Sequence, residues 1–209
     1  MKKKDKFERL NKKTGEIEEI KTATAAEPIK DRTVIEKIKT ELNIKKTRKY
    51  YALFCTGINV GLRISDLLQL KVNDVKSGYV RTKETKTGKF KQFPINATLK
   101  AVLDNYIEEF KFNDEDFLFF TNKRDKTKNK CIDQSQVYRK LKEVIKKVAP
   151  ELHVSTHTLR KTFGFWLYQQ TKDIALVMHA LNHSSQSATL RYLGLTQESI
   201  DNAVNELNL

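Results

Sequence analysis

Cysteine, proline, glycine and tryptophan are scarce in this chain: two, three, seven and one in 209 residues. Neither Cys55 nor Cys131 belongs to a C-x-x-C, so no zinc site or redox pair is expected. A reducing, cytoplasmic setting is the simplest reading of so few thiols. Cys55 lies in the apolar run Tyr50–Ile58 and reads as a core residue. Few prolines and glycines leave helices uninterrupted. The basic Met1–Lys4 is not followed by an apolar stretch, and no run is long enough to cross a bilayer. Neither a signal peptide nor a membrane partner is expected. G-x-G-x-x-G and G-x-x-x-x-G-K-[ST] are both missing, so no nucleotide cofactor is implied. No carboxylate cluster suggests a metal either, and the expected cofactor complement is none.

What the chain has in excess is positive charge. Lys and Arg number 40 against 26 Asp and Glu, a net charge of +14. Such an excess suits a polyanion, because each cation laid on a phosphate releases condensed counterions. A basic protein with no nucleic-acid role is the plainer alternative. Hydrophobic residues make up 39%, enough to build a packed core.

Met1 to Pro28 is polar and mixed in charge. Residues 10–17 read as a small hairpin around Gly15, or equally as coil. Helical patterning begins near Asp31, where Thr33 and Glu36 have capping-box spacing ahead of Ile35, Ile38 and Leu42. Arg48 to Ile58 reads as an apolar helix stopped by Gly61, and Ser65 as the cap of a short helix Asp66–Leu70. Tyr79–Lys83 and Phe90–Ile95 read as two strands joined through Lys86-Thr87-Gly88-Lys89. Asn96, Asp133 and Asp173 each precede an apolar stripe of helical period, and His157 to Gln169 is helical too. A last helix after Thr196 carries Ile200, Val204 and Leu207. The expected fold is mainly α with a small antiparallel β-hairpin. The expected organisation is a short polar N-terminal segment, residues 1–30, and one domain over residues 31–209.

Four sites invite chemistry. His157 and Arg160 are three apart on one helix face and can grip two oxygens of one phosphate; a surface pair is the bland reading. Arg63 sits among Leu62, Ile64 and Leu67, and a half-buried guanidinium requires an anion. That anion is a bound phosphate or Asp66, three residues on. His183 follows the Asp173 helix, where the dipole alone favours a histidine. Tyr192, nine residues later, is one of seven tyrosines. A phosphodiester attacked in line gathers charge on its non-bridging oxygens, which two guanidiniums and two imidazoles stabilise. A phenol of pKa about 10 needs a base or cationic surroundings to attack.

Together these residues, with the wording G-L-R-I-S-D-L-L-Q-L, K-T-G-K, H-T-L-R-K-T-F and L-N-H-S-S-Q-S-A-T-L-R-Y, resemble the tyrosine recombinase, or phage integrase, family. The resemblance covers about Asp31 to Leu209, the family's catalytic domain. It implies a DNA strand-exchange enzyme working through a 3′-phosphotyrosyl intermediate, without metal or ATP. It assigns Arg63 and Arg160 to the phosphate and His157 to hydrogen bonding and acid–base work. His183 donates to a non-bridging oxygen, and Tyr192 is the nucleophile. Lys86 is the acid for the leaving 5′ oxygen, with Lys83 and Lys89 as rivals. The implied partners are double-stranded DNA and further copies of the chain, in a tetrameric synapse.

Two features depart from the family. Asn182 replaces the frequent glycine before the second histidine, and asparagine tolerates the same left-handed turn. The separate core-binding domain of relatives is not matched by residues 1–30. A type IB topoisomerase-like nicking enzyme and a catalytically silent DNA-binding accessory protein are the competing readings.

Overall fold

The computed structural model describes residues 7–10, 17–20, 26–86, 88–121, 130–194 and 205. Near the N-terminus, β1 (Phe7–Leu10) pairs antiparallel with β2 (Ile17–Ile20), Phe7 opposite Ile20. Gly15 lies outside the described residues, as do Ile200, Val204 and Leu207 of the expected last helix.

The principal core is helical. α1 (Arg32–Leu42) is capped by Asp31, whose side chain accepts from the Thr33 amide. This corrects the expected Thr33 box: the acidic residue before the helix is the stronger acceptor. α2 (Arg48–Val60) is almost wholly apolar on its buried side and packs against α1, α4 and α6. α4 (Ala97–Phe110) starts at Asn96, and α5 (Gln134–Val148) at Asp133, both accepting from backbone amides as their spacing predicts. α6 (Thr158–Thr171) and α7 (Ile174–Leu181, capped by Asp173) follow where helices are expected. Leu53, Phe54, Leu67, Leu99, Tyr106, Leu118 and Ile145 are among the side chains that fill the core. Each buried aliphatic side chain contributes about 1.5–3 kcal/mol.

Between α2 and α4, α3 (Ile64–Leu68) begins two residues earlier than expected. Its N-cap is Arg63, with no side-chain cap bond, so Ser65 does not cap it. β3 (Tyr79–Lys83) and β4 (Phe90–Pro94) form the hairpin, with Lys83 opposite Phe90.

Two close approaches set the site. Gly61 ends α2 at φ +59°, and a Cβ there would meet Phe163 of α6 at 2.1 Å. Only glycine satisfies both the left-handed turn and the contact. Gly164 lets Leu181 and Leu193 approach α6, where a Cβ would find them at 2.9 and 2.8 Å. Those two leucines and Val177 form a separate small core, and it carries α8 (Gln186–Tyr192), a helix with too few apolar positions to be legible by periodicity. Residues 26–30 pack onto α6 as well. Ile29 is buried, its amide donates to Thr162 Oγ1 at 2.9 Å, and its carbonyl accepts from Trp166 Nε1 at 3.0 Å.

Candidate active site

The Gly61 turn delivers Arg63 to the start of α3, and the close crossing of α2 and α6 delivers Arg160 beside it. Arg160 is buried, with Nη1 donating to Gly61 O at 2.7 Å and Nη2 to Leu181 O. Two backbone carbonyls thus hold its guanidinium from behind. Arg63 is half-buried, and its Nη1 lies 2.8 Å from Glu84 Oε1. The same carboxylate oxygen is 4.0 Å from Arg160 Nη1. The partner of Arg63 is therefore Glu84 and not Asp66. Asp66 is buried and accepts from the Thr85 amide at 3.1 Å, tying the hairpin to α3.

Tyr192 closes the cluster from α8. Its hydroxyl is shut off from solvent. Burial pushes the phenol up to about 12, while the guanidiniums of Arg160 and Arg63 pull the other way. Lys161 lies over the ring, its Nζ 4.8 Å from the centroid, and also donates to Ala26 O at 2.8 Å. Lys30 donates to Gly194 O at 3.0 Å, just past the tyrosine. The 26–30 segment thus meets the Tyr192 turn directly through Lys30 and indirectly through Lys161.

His183 follows Asn182, which takes the left-handed conformation at φ +52° that its sequence position predicts. His183 Nδ1 is 3.1 Å from Thr189 Oγ1. The Thr189 hydroxyl gives its own proton to Ser185 O at 2.7 Å, so its oxygen accepts from Nδ1–H. That favours the Nδ1–H tautomer and leaves Nε2 unprotonated in the neutral ring. Burial first, then Arg160 and Arg63, hold the His183 imidazole below its ordinary value. His157 stands more open at the N-cap of α6, its amide donating to Ser155 Oγ at 3.0 Å. Desolvation and the charges of Arg160, Lys161 and Arg63 lower it too.

Five of the six expected residues thus gather in one place. Lys86 stands exposed on the hairpin turn, two residues beyond Glu84. Of its rivals, Lys83 lies over the Phe90 ring and Lys89 reaches Asn182 Oδ1 at 3.4 Å. A cleft of about 440 Å³ between β4 and α7 is lined by Lys89, Lys91, Asn182 and His183, among others. Lys91 Nζ donates to His179 O at 2.8 Å and Ala180 O at 3.3 Å, capping α7 where a cation is favoured. Glu84, Lys91, Lys161 and Thr189 escape sequence reasoning, because their partners are distant in the chain or lack a motif. Thr189 alone had a local signal, its spacing of six from His183.

Comparison with known proteins agrees with this fold. The chain belongs to the phage integrase family, whose sequence profile matches residues 29–199. It is 40% identical over 174 residues to the probable integrase/recombinase YoeC of Bacillus subtilis (strain 168), covering 83% of this chain and 92% of that one. It is 32% identical over 151 residues to tyrosine recombinase XerA of Pyrococcus furiosus, covering 71% of this chain and 51% of that one. The crystal structure of XerH site-specific recombinase bound to palindromic difH substrate, in a post-cleavage complex, superposes with a TM-score of 0.66 at 22% identity. It covers 86% of this chain and 53% of that one. The fold is that of a tyrosine recombinase catalytic domain, and the chain spans about half the length of XerA and XerH.

Proposed function

We propose that this chain is a site-specific recombinase that cleaves and rejoins double-stranded DNA through a 3′-phosphotyrosyl bond at Tyr192. The observation that carries the reading is the convergence of Arg63, Arg160 and His183 on the phenol of Tyr192, around a cluster held from behind by backbone carbonyls and one carboxylate. Two fixed guanidiniums and an imidazole stabilise charge that grows on non-bridging oxygens in the transition state. The Tyr192 oxygen attacks phosphorus in line and its proton passes to a base, the role we assign to His157. The bond to the 5′ oxygen breaks, and Lys86 on the hairpin supplies that oxygen's proton. The phosphotyrosyl ester keeps the bond energy, so the reverse attack by a 5′ hydroxyl reseals the strand without ATP. The cationic side chains supply the charge that a metal supplies in other phosphoryl transfers.

The filled set speaks against a silent accessory protein. Four protomers assembled on two duplexes are the arrangement that strand exchange requires, and the segment after Thr196 is the candidate contact between them. A nicked duplex from which cleavage releases a short fragment with a free 5′ hydroxyl tests the activity. A covalent protein–DNA adduct on a denaturing gel is the expected result; DNA binding without any adduct overturns it.

A further inference from the structure

We propose that Glu84 is a positioning residue for strand cleavage, its buried carboxylate setting Arg63 in register with Arg160 and with the Asn182–His183 turn. The proposal rests on the recombinase reading. Glu84 is 1% exposed, so it acts through its neighbours and not on DNA. Its backbone is pinned at the base of the hairpin: its amide donates to Lys89 O at 2.9 Å, and its carbonyl accepts from the Gly88 amide at 2.8 Å. The side chain spans three elements. Oε1 meets Arg63 Nη1 at 2.8 Å and lies 4.0 Å from Arg160 Nη1, while Oε2 accepts from Asn182 Nδ2 at 3.1 Å.

Charge explains why a carboxylate belongs there. Two guanidiniums around one phosphate site repel each other, and Arg160 is 3% exposed, so little water screens it. One buried carboxylate leaves the pair net positive by one, enough to receive a phosphodiester anion. Arg63, unlike Arg160, has no carbonyl holding its guanidinium in place among the described residues. It is partly exposed, so without Glu84 it is free to turn toward solvent. Breaking a buried ion pair from one side leaves the other charge uncompensated. The lysine-bearing turn, two residues on, is registered against the arginines by the same side chain.

The test uses full-length protein and a nicked duplex bearing its own cleavage site, recovered by sequencing DNA left covalently bound to it. Cleavage is timed with protein in excess on two versions, one with the normal scissile phosphate and one with a neutral methylphosphonate there. Glu84→Gln keeps the shape and an acceptor for Asn182 but removes the charge. We expect cleavage of the phosphate to slow by at least about tenfold, with affinity for the duplex within about twofold. On the methylphosphonate the deficit should shrink to about twofold, because a neutral ester asks little of Arg63. Equal deficits on both substrates mean Glu84 is only structural glue and overturn the proposal, as does an unchanged rate on phosphate. Asn182→Gly covers the case in which Glu84→Gln melts early. Glycine suits φ +52°, so this variant loses the carboxamide that orients Oε2, together with its exposed 3.4 Å contact from Lys89, and keeps the turn. It should show the same substrate-dependent deficit at smaller size, and wild-type behaviour overturns the proposal. If wild-type protein binds but forms no adduct on either duplex, the recombinase reading fails and the role of Glu84 falls with it.

Discussion

The imidazole of His183 and the phenol ring of Tyr192 meet edge to face, with centroids 4.9 Å apart and planes at 87°. The contact joins two residues nine apart in sequence, across the segment that runs from the end of α7 through α8. Both groups also lie within the field of the same two guanidiniums, Arg160 and Arg63.

That arrangement predicts a pH-dependent affinity. In the free protein both His183 and His157 are held below their ordinary value, so the neutral forms dominate near pH 7. A bound phosphate favours the imidazolium of each and raises both. Binding therefore takes up protons, and affinity should strengthen as pH falls from 8 toward 6. Stability should move the other way. A depressed histidine contributes stability above its unfolded value, near pH 6.5, and loses it as pH falls through the folded value. Fluorescence titrations of labelled duplex across this range check the first claim. A flat profile in wild-type protein, or an unchanged slope in the His157→Gln, His183→Gln double variant, contradicts it.

Thr189→Val should slow cleavage by about tenfold with little loss of DNA affinity. The substitution keeps the side chain's bulk but removes the oxygen that accepts from His183 Nδ1–H, so the ring loses its fixed tautomer. Thr189→Ser should restore most of the rate. Single-turnover cleavage of the three proteins is the measurement, and equal rates in valine and threonine forms would show that the tautomer is set elsewhere.

Gly61→Ala should be among the most damaging small substitutions. The left-handed turn at φ +59° costs a Cβ-bearing residue about 1–2 kcal/mol, and the overlap with Phe163 adds to it. A loss of at least about 2 kcal/mol should lower the melting temperature by roughly 4–8 °C. Cleavage measured below the melt should fall further than stability accounts for, because the Gly61 carbonyl holds Arg160. A melting temperature within a degree of wild type refutes the packing argument.

Cleavage should proceed at an unchanged rate in excess EDTA and without nucleotide, since Arg63, Arg160 and the two histidines already supply the stabilising charge. A rate abolished by EDTA and restored by magnesium would demand a carboxylate site outside this account.

Much of this architecture is written in short-range signals. Asn96, Asp133 and Asp173 cap helices because a side-chain oxygen reaches an amide two or three residues on, and such local geometry is legible in a sequence. The Gly61 and Asn182 turns are legible for the same reason. The Arg63 pairing is not. Asp66 has the right spacing, yet the bond goes to Glu84 on another element, and only the docking of the hairpin onto α3 decides between them. Lys161 is similar: it follows the motif arginine directly, but its place over Tyr192 depends on where α8 packs. Residues 26–30 read as part of a polar leader, although Ile29 and Pro28 are buried, because two apolar residues are too few to make a period.

The identity of the nucleophile is the central claim, and peptide mapping of the covalent adduct tests it most directly. Wild-type protein trapped on a nicked duplex is digested with nuclease and protease, and the nucleotide-bearing peptide is sequenced by mass spectrometry. The account predicts one modified residue, Tyr192, and no adduct from Tyr192→Phe, which should still bind the duplex with wild-type affinity because only the phenol oxygen is lost. A nucleotide on any of the other six tyrosines, or an adduct of undiminished yield in Tyr192→Phe, would contradict it.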